Sequence, residues 1–424
     1  MLMIFLVLYA IAIQTTMAGM EIFGWASGVF GLILWVSQYG RQSWSEFRKQ
    51  WLVQPGDGAV ALLFLVIVAS VLINSPPETN KVFWIGSGRW VLLFFLMRLA
   101  LSFVDFEKTQ TVIKVLICLT GVIGLYGVQQ HFVGHDYIRG KTIELFGQRA
   151  DGSPFYRSNG LLSMHTRFGH MSAVWSCLPM AYWLCAERVG KFRWVALLCL
   201  LFGLLGLAAS LTRADWLSFP VAALFVGVLS AMQFKRFEWK PLLTVAGVLA
   251  VVVAMIIVAT PELKERSESI GQVNTYASNY QRVEIWKANI AIWKDFPVLG
   301  AGYGVNEALS PAYLNKLGLV RFTGGNAHST YLQFLAGTGL LGLSAWLVFI
   351  ATFFVVSVWL YRSLPQQKTV LRTLVLGGLG AQVVVGVTGL IDCNFHAAEI
   401  THAYTFIVAC MAIIWVQQGR PARN

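Results

Sequence analysis

WVALLCLLFGLLGLAASLTRADWLSFPVAALFVGVLSAM, residues 194–232, consists of two apolar runs that meet at Thr212 with almost no loop between them. Each run approaches the about 20 residues needed to cross a hydrocarbon core as a helix. Neither alternates apolar and polar residues as a membrane β-strand does. Lipid offers backbone amides no partner, so an isolated apolar run of this length must satisfy its hydrogen bonds internally, as a helix.

Working outward, comparable runs fall at 1–19, 22–38, 58–74, 83–104, 111–133, 166–186, 194–211, 214–232, 242–260, 338–361, 371–391 and 401–417. The pattern predicts an all-α integral membrane protein of about twelve transmembrane helices. Composition agrees, with 57% hydrophobic and 12% charged residues excluding a soluble enzyme or a nucleic-acid binder. Cys118, Cys177, Cys185, Cys199 and Cys410 lie inside apolar stretches and Cys393 near a span end, a spacing that suggests neither a disulfide framework nor a metal site. Met1 to Ala18 has no basic region ahead of its apolar run, so it reads as a first transmembrane helix rather than a cleaved signal peptide.

Charge orients the bundle. Short connections with Arg41, Arg48, Lys49, Lys108, Arg188, Lys191, Arg193, Lys235, Arg236, Lys240, Arg362, Lys368 and Arg372, and the tail with Arg420 and Arg423, are expected in the cytoplasm. An even helix count puts both termini there. The chain then divides into residues 1–260, helices 1–9 with an outer segment at 134–165; 261–337, a large outer segment; and 338–424, helices 10–12 with a cytoplasmic tail.

The outer connections are also basic, carrying Arg139, Lys141, Arg149, Arg157 and Arg167, then Arg213, then Lys264, Arg266, Arg282, Lys287, Lys294, Lys316 and Arg321. Planar guanidinium groups grip phosphate oxygens two at a time, so such a set suits an anionic headgroup or a diphosphate. A rim touching lipid phosphates is the simpler alternative for any one of them.

Three local contexts sharpen this. Thr212-x-x-Asp215 has the form of a capping box, placing Arg213 in the first turn of a helix and aimed outward. A cation there opposes the helix dipole, a conflict that an anionic ligand would remove; anchoring by Arg213 and Trp216 at the membrane interface is the competing reading. Ser278-x-x-Gln281 has the same form and opens an amphipathic helix with Arg282 in its first turn and a stripe of Val283, Trp286, Ile290 and Trp293. Asp295-Phe296-Pro297 stops it, and Gly300-Ala301-Gly302-Tyr303-Gly304 follows as a flexible turn that lacks the ending of a phosphate-binding loop. Finally, Asn326 is placed to cap a helix with His328 in its first turn, where a neutral imidazole suits a general base.

Together, Ser-Leu-Thr-Arg-x-x-Trp at 210–216, Asn-Tyr-Gln-Arg-x-x-x-Trp at 279–286, Gly-x-Gly-x-Gly at 300–304 and Asn-Ala-His-Ser-x-Tyr-Leu-Gln at 326–333 resemble the O-antigen ligase and polymerase superfamily of bacterial envelopes. The resemblance implies a GT-C-like glycosyltransferase of the inner membrane whose outer segments face the periplasm. Its donor would be a polysaccharide on undecaprenyl diphosphate, and in the ligase branch its acceptor would be the lipid A core oligosaccharide. His328 would be the base. Arg213 and Arg282 would hold the diphosphate, with Arg157 and Arg167 completing the phosphate site. Tyr303, Tyr331 and Asn326 would contact substrate. No Asp-x-Asp motif is present, so no metal and no cofactor is expected, the arginines taking a divalent ion's place. An O-antigen polymerase or a protein glycosyltransferase would share the donor and differ in acceptor. A twelve-span transporter is the reading from another class.

Overall fold

The computed structural model describes residues 1–39, 56–76, 80, 88–148, 152–185, 190–232, 247, 277–319 and 325–418. The described helices are α1 (Leu2–Thr15), α2 (Met17–Tyr39), α3 (Asp57–Asn74), α4 (Trp90–Leu101), α5 (Gln110–Val133), α6 (His165–Cys185), α7 (Phe192–Ala209), α8 (Arg213–Ala231), α9 (Ala277–Asp295), α10 (Val305–Lys316), α11 (Thr330–Ser363), α12 (Thr369–Ile391) and α13 (Ala398–Gln417). Among the described residues, eight helices are long and apolar enough to cross a membrane: α2, α3, α5, α7, α8, α11, α12 and α13. α1 and α4 are apolar but shorter, at 14 and 12 residues. α6 has 21 residues and begins with the polar His165, Arg167 and His170. Of the expected span at 242–260, all but residue 247 lies outside the described residues. The protein is thus a helical multi-pass membrane protein.

Segment 134–165 departs from an all-helical reading. It holds two small antiparallel hairpins, β1 (His135–Asp136) with β2 (Lys141–Thr142) and β3 (Leu145–Gln148) with β4 (Pro154–Tyr156). They are tied to α5, where the Tyr126 hydroxyl donates to Asp136 at 2.7 Å, His131 Nδ1 meets the Tyr156 carbonyl at 2.7 Å and Gln130 donates to the Gly160 carbonyl at 2.9 Å.

Small residues set the helix spacing, as expected where lipid leaves helices no hydrophobic reason to associate. A methyl group added at Gly124 of α5 would lie 2.2 Å from the Phe202 carbonyl oxygen of α7. The Gly300–Gly304 run works in the same way and is no flexible turn. Its amides pair with α11, Ala301 donating to the Ala336 carbonyl at 3.0 Å and Gly302 to that of Gly337 at 2.9 Å. α11 is broken at this crossing, where Gly339 adopts φ 67° and ψ −166°. Any side chain there would collide with Val298 O, 2.2 Å from its first carbon, so glycine is required by both conformation and space.

α9 lies against α11 through a face different from the expected stripe. Ile285, Ala288 and Ile292 are the buried apolar positions, while Ile290 is exposed and Trp286 and Trp293 are half-buried. The polar Glu284 and Asn289 are buried beside them, and Asn289 accepts from Asn306 of α10 at 2.9 Å. Counting aromatic positions misplaced the face because the contact is made by small and branched side chains.

Candidate functional site

The junction between α7 and α8 turns on Leu211, at φ 57°, followed by an extended Thr212. The expected Thr212–Asp215 capping box is not formed. The Thr212 hydroxyl accepts from Ser210 Oγ at 3.1 Å and donates to the His165 carbonyl at 3.4 Å, joining the turn to the start of α6. Arg213 does open α8, but at 6% exposure it is buried rather than aimed outward.

Asp215, freed from capping, points into the bundle at 0% exposure. One carboxylate oxygen lies 2.6 Å from His170 Nδ1 of α6, and the other accepts from Thr388 Oγ1 of α12 at 2.9 Å. Nε2 of His170 lies 3.4 Å from Asp392 Oδ2, just past the end of α12. The other Asp392 oxygen is 3.8 Å from His328 Nδ1. Asp215, His170, Asp392 and His328 therefore form one chain of alternating carboxylates and imidazoles, running from the buried interior to a half-exposed histidine.

His328 reaches this place by a route different from the expected one. Ser329, not Asn326, caps α11, its hydroxyl accepting from the Leu332 amide at 3.4 Å. His328 stands ahead of the cap at φ 45°, a left-handed conformation that costs a non-glycine residue about 1–3 kcal/mol. Its surroundings hold it there. Asn326 Oδ1 accepts its amide at 3.0 Å, the Trp286 indole donates to its carbonyl at 3.4 Å, and Gln333 Oε1 accepts the neighbouring Ala327 amide at 2.9 Å.

The start of α11 is locked to the end of α12. Ser329 donates to the Gly389 carbonyl at 3.3 Å, Thr330 to Asn394 Oδ1 at 2.9 Å and Tyr331 to the Gly386 carbonyl at 3.1 Å. These bonds bring His328 and Asp392 together although 64 positions separate them in sequence (392 − 328).

Burial opposes ionisation of Asp392, but contacts with His170 and His328, and then the positive charges of His170 and Arg282, outweigh it and hold the carboxyl well below the usual range. Arg282 thus bears on the same carboxylate as His328. It lies beyond the first turn of α9, which already begins at Ala277; the side chain of Ser278, its expected cap, lies outside the described residues.

The other arginines stand apart from this group. Arg157 Nη1 lies 3.4 Å from Glu144 Oε1 and 3.4 Å from His165 Nε2, its guanidinium 4.4 Å from the Phe146 ring centre. Arg167 pairs with Glu399 at 3.0 Å. Each already has a carboxylate, so a phosphate would have to displace it. Tyr303 is 5% exposed with its ring 5.3 Å from that of Phe334, and burial pushes its phenol up. That places Tyr303 in the core rather than on a sugar. The Tyr331 hydroxyl is engaged with α12, and the Asn326 side chain with the His328 backbone.

Sequence reasoning missed Asp392 and His170 and treated Asp215 as a cap. A signal was present: each is an ionisable residue in or at the end of an apolar span, where an unpaired charge is costly. Residues 196–347 match the family model described as O-Antigen ligase, a region that takes in Arg213, Asp215, Arg282 and His328. No curated protein matches the chain.

Proposed function

Since the chain is a member of the O-antigen ligase/polymerase superfamily through residues 196–347, we propose that it is the ligase: it transfers a polysaccharide from undecaprenyl diphosphate to a sugar hydroxyl of the lipid A core. The transfer takes place at the periplasmic face of the bacterial inner membrane, with both termini in the cytoplasm. The observation that carries this reading is the half-exposed, conformationally strained His328 backed by the ionised Asp392, with Arg282 bearing on the same carboxylate.

The chemistry follows from those groups. His328 Nε2 takes the proton of the acceptor hydroxyl as its oxygen bonds to the anomeric carbon of the donor. The bond from that carbon to the phosphate oxygen breaks, and its electron pair leaves on undecaprenyl diphosphate. The imidazolium formed faces Asp392, which offsets its charge in the way a carboxylate supports histidine in a catalytic triad. Arg282 holds the departing diphosphate, joined by Arg213 if substrate reaches its buried side chain, and supplies the positive charge that many diphosphate-using enzymes take from a metal. A single displacement inverts the anomeric centre. Arg157 and Arg167 join the phosphate site if substrate draws them from Glu144 and Glu399. Asn326 acts through the backbone of His328.

The test is a reconstituted assay with purified protein, undecaprenyl-diphosphate-linked O-antigen and lipid A core, with the new linkage read by NMR. Inverted linkage to the core supports the proposal. Elongation of lipid-linked chains alone would replace it with a polymerase, and an inactive protein would return the transporter to consideration.

A further inference from the structure

His170 has no part in the proton transfer, diphosphate binding or acceptor binding described above. It is 4% exposed, lies one turn inside α6, and sits between two carboxylates carried by different helices. Burying two carboxylates on either side of one side chain in a membrane bundle is costly unless that side chain is a cation. We infer that His170 is a positioning residue for the proposed transfer: by bridging Asp215 and Asp392 it fixes the Asp392 carboxylate toward His328. This inference rests on the ligase reading.

The geometry supports a directional role. The Nδ1 contact with Asp215, at 2.6 Å, is the short one and fixes the ring. Asp215 accepts from Thr388 at 2.9 Å, and the Thr388 hydroxyl lies 2.8 Å from Ser218 Oγ, so the carboxylate anchoring His170 is fastened to both α8 and α12. With the ring fixed, Nε2 can point only at Asp392 Oδ2, and that residue's other oxygen, which accepts the Cys393 amide at 2.9 Å, faces His328. The charged and titratable groups around His170 are Asp215 from α8 and Asp392 from the end of α12. Beyond Asp392 stand His328 ahead of α11 and Arg282 of α9. Arg167, one turn earlier on α6, is turned away toward Glu399 of α13. With His170 protonated, the two buried carboxylates carry one compensating charge. Without it they repel, and Asp392 loses the His170 contact that favours its ionised form.

The experiment compares the parent protein, His170→Gln and the double variant His170→Gln/Asp215→Asn in the reconstituted transfer assay across pH, with folding monitored by size exclusion in detergent. His170→Gln is expected to lower kcat about 10–100-fold, as losing a group that orients a catalytic residue does, with the donor KM nearly unchanged. It is also expected to move the acid limb of the pH profile to higher pH, because Asp392 then protonates more readily. Removing the Asp215 charge in the double variant relieves the repulsion and should restore part of the rate. A folded His170→Gln protein with parental kcat and an unmoved acid limb would overturn the inference while leaving the ligase reading intact. If His170→Gln did not fold, a double variant that was folded but showed no return of rate and no shift of the limb would overturn it equally. Failure of the parent itself to transfer saccharide would overturn the ligase reading, and this inference with it.

Discussion

Two buried ionic groups among the described residues differ in whether they open to the surface. Near the start of α3, Asp57 pairs with Arg98 of α4, with side-chain exposures of 11% and 4%. The guanidinium lies 5.4 Å from the Phe95 ring centre and 6.0 Å from that of Phe94. One anion meets one cation behind an aromatic wall, closed to solvent. The Asp215–His170–Asp392–His328 chain has a surplus of carboxylate and ends on a side chain 34% exposed, with the positive charge of Arg282 nearby. The closed pair stitches two helices together, whereas the open chain has an end that a substrate can reach. Burial and charge are common to both, so neither alone marks a functional site in a membrane; what sets the second group apart is an exposed terminus in a strained backbone.

This contrast breaks first at His328. His328→Ala should lower transfer by about 10²–10⁴-fold, the range for loss of a general base, while Arg98→Met leaves the rate per folded molecule unchanged. Equal losses of specific activity would erase the distinction.

The next effect belongs to Asp392. Asp392→Asn should cost about 10–100-fold in kcat with little change in donor KM, because the amide orients the imidazole without offsetting its charge. Steady-state kinetics would check this, and a rise confined to KM would assign Asp392 to binding. The same carboxyl gives a pH dependence of stability. Its folded-state value is depressed, so its contribution is complete above the ordinary carboxylate range and is lost as pH falls through the folded value. Thermal unfolding in detergent should therefore show the gap between parent and Asp392→Asn closing only in strong acid.

The closed pair should show the opposite behaviour. Arg98→Met alone removes the cation facing buried Asp57 and should cost about 3–5 kcal/mol, whereas Arg98→Met with Asp57→Leu should recover most of that stability. Denaturation of the three proteins in mixed micelles tests it. No recovery in the double variant would mean that the pair is not self-contained.

The smallest effect concerns Glu307, which lies 3.6 Å from His396 Nδ1 and accepts from Gln333 at 2.8 Å. Burial raises its carboxyl, against the lowering by His396 and Gln333. A raised acid loses stability as pH rises from its unfolded value through its folded one. Glu307→Gln should therefore stabilise the protein more at pH 7 than at pH 4, by a few degrees of Tm or less, with no larger gain in acid.

Much of the fold was legible because the bilayer imposes one period and one length on the chain. The apolar runs gave helices at nearly every described place, and Thr212 was visible as a tight junction. The two hairpins of segment 134–165 were not, since strands of 2–4 residues leave too little alternation to read. The motifs singled out His328, Arg213 and Arg282 because those residues sit in compact strings with capping and aromatic neighbours, and of the three the structure brings His328 and Arg282 to bear on Asp392. Asp392, His170 and Asp215 come from the ends of three different helices, and what unites them is the docking of Ser329, Thr330 and Tyr331 onto α12. Local sequence shows nothing of that docking. The caps were misread because both side chains were claimed by other partners: Asp215 by His170 across the bundle, and Asn326 locally by the His328 amide two residues on.

The most direct test of the central claim is transfer by His328→Ala in the presence of a chelator, with and without added imidazole, at saturating donor. The account predicts that the parent is indifferent to chelator, and that the variant is inactive alone and regains measurable transfer as neutral imidazole is supplied. Parental rates in the variant without imidazole, or loss of parental activity on chelation, would contradict it.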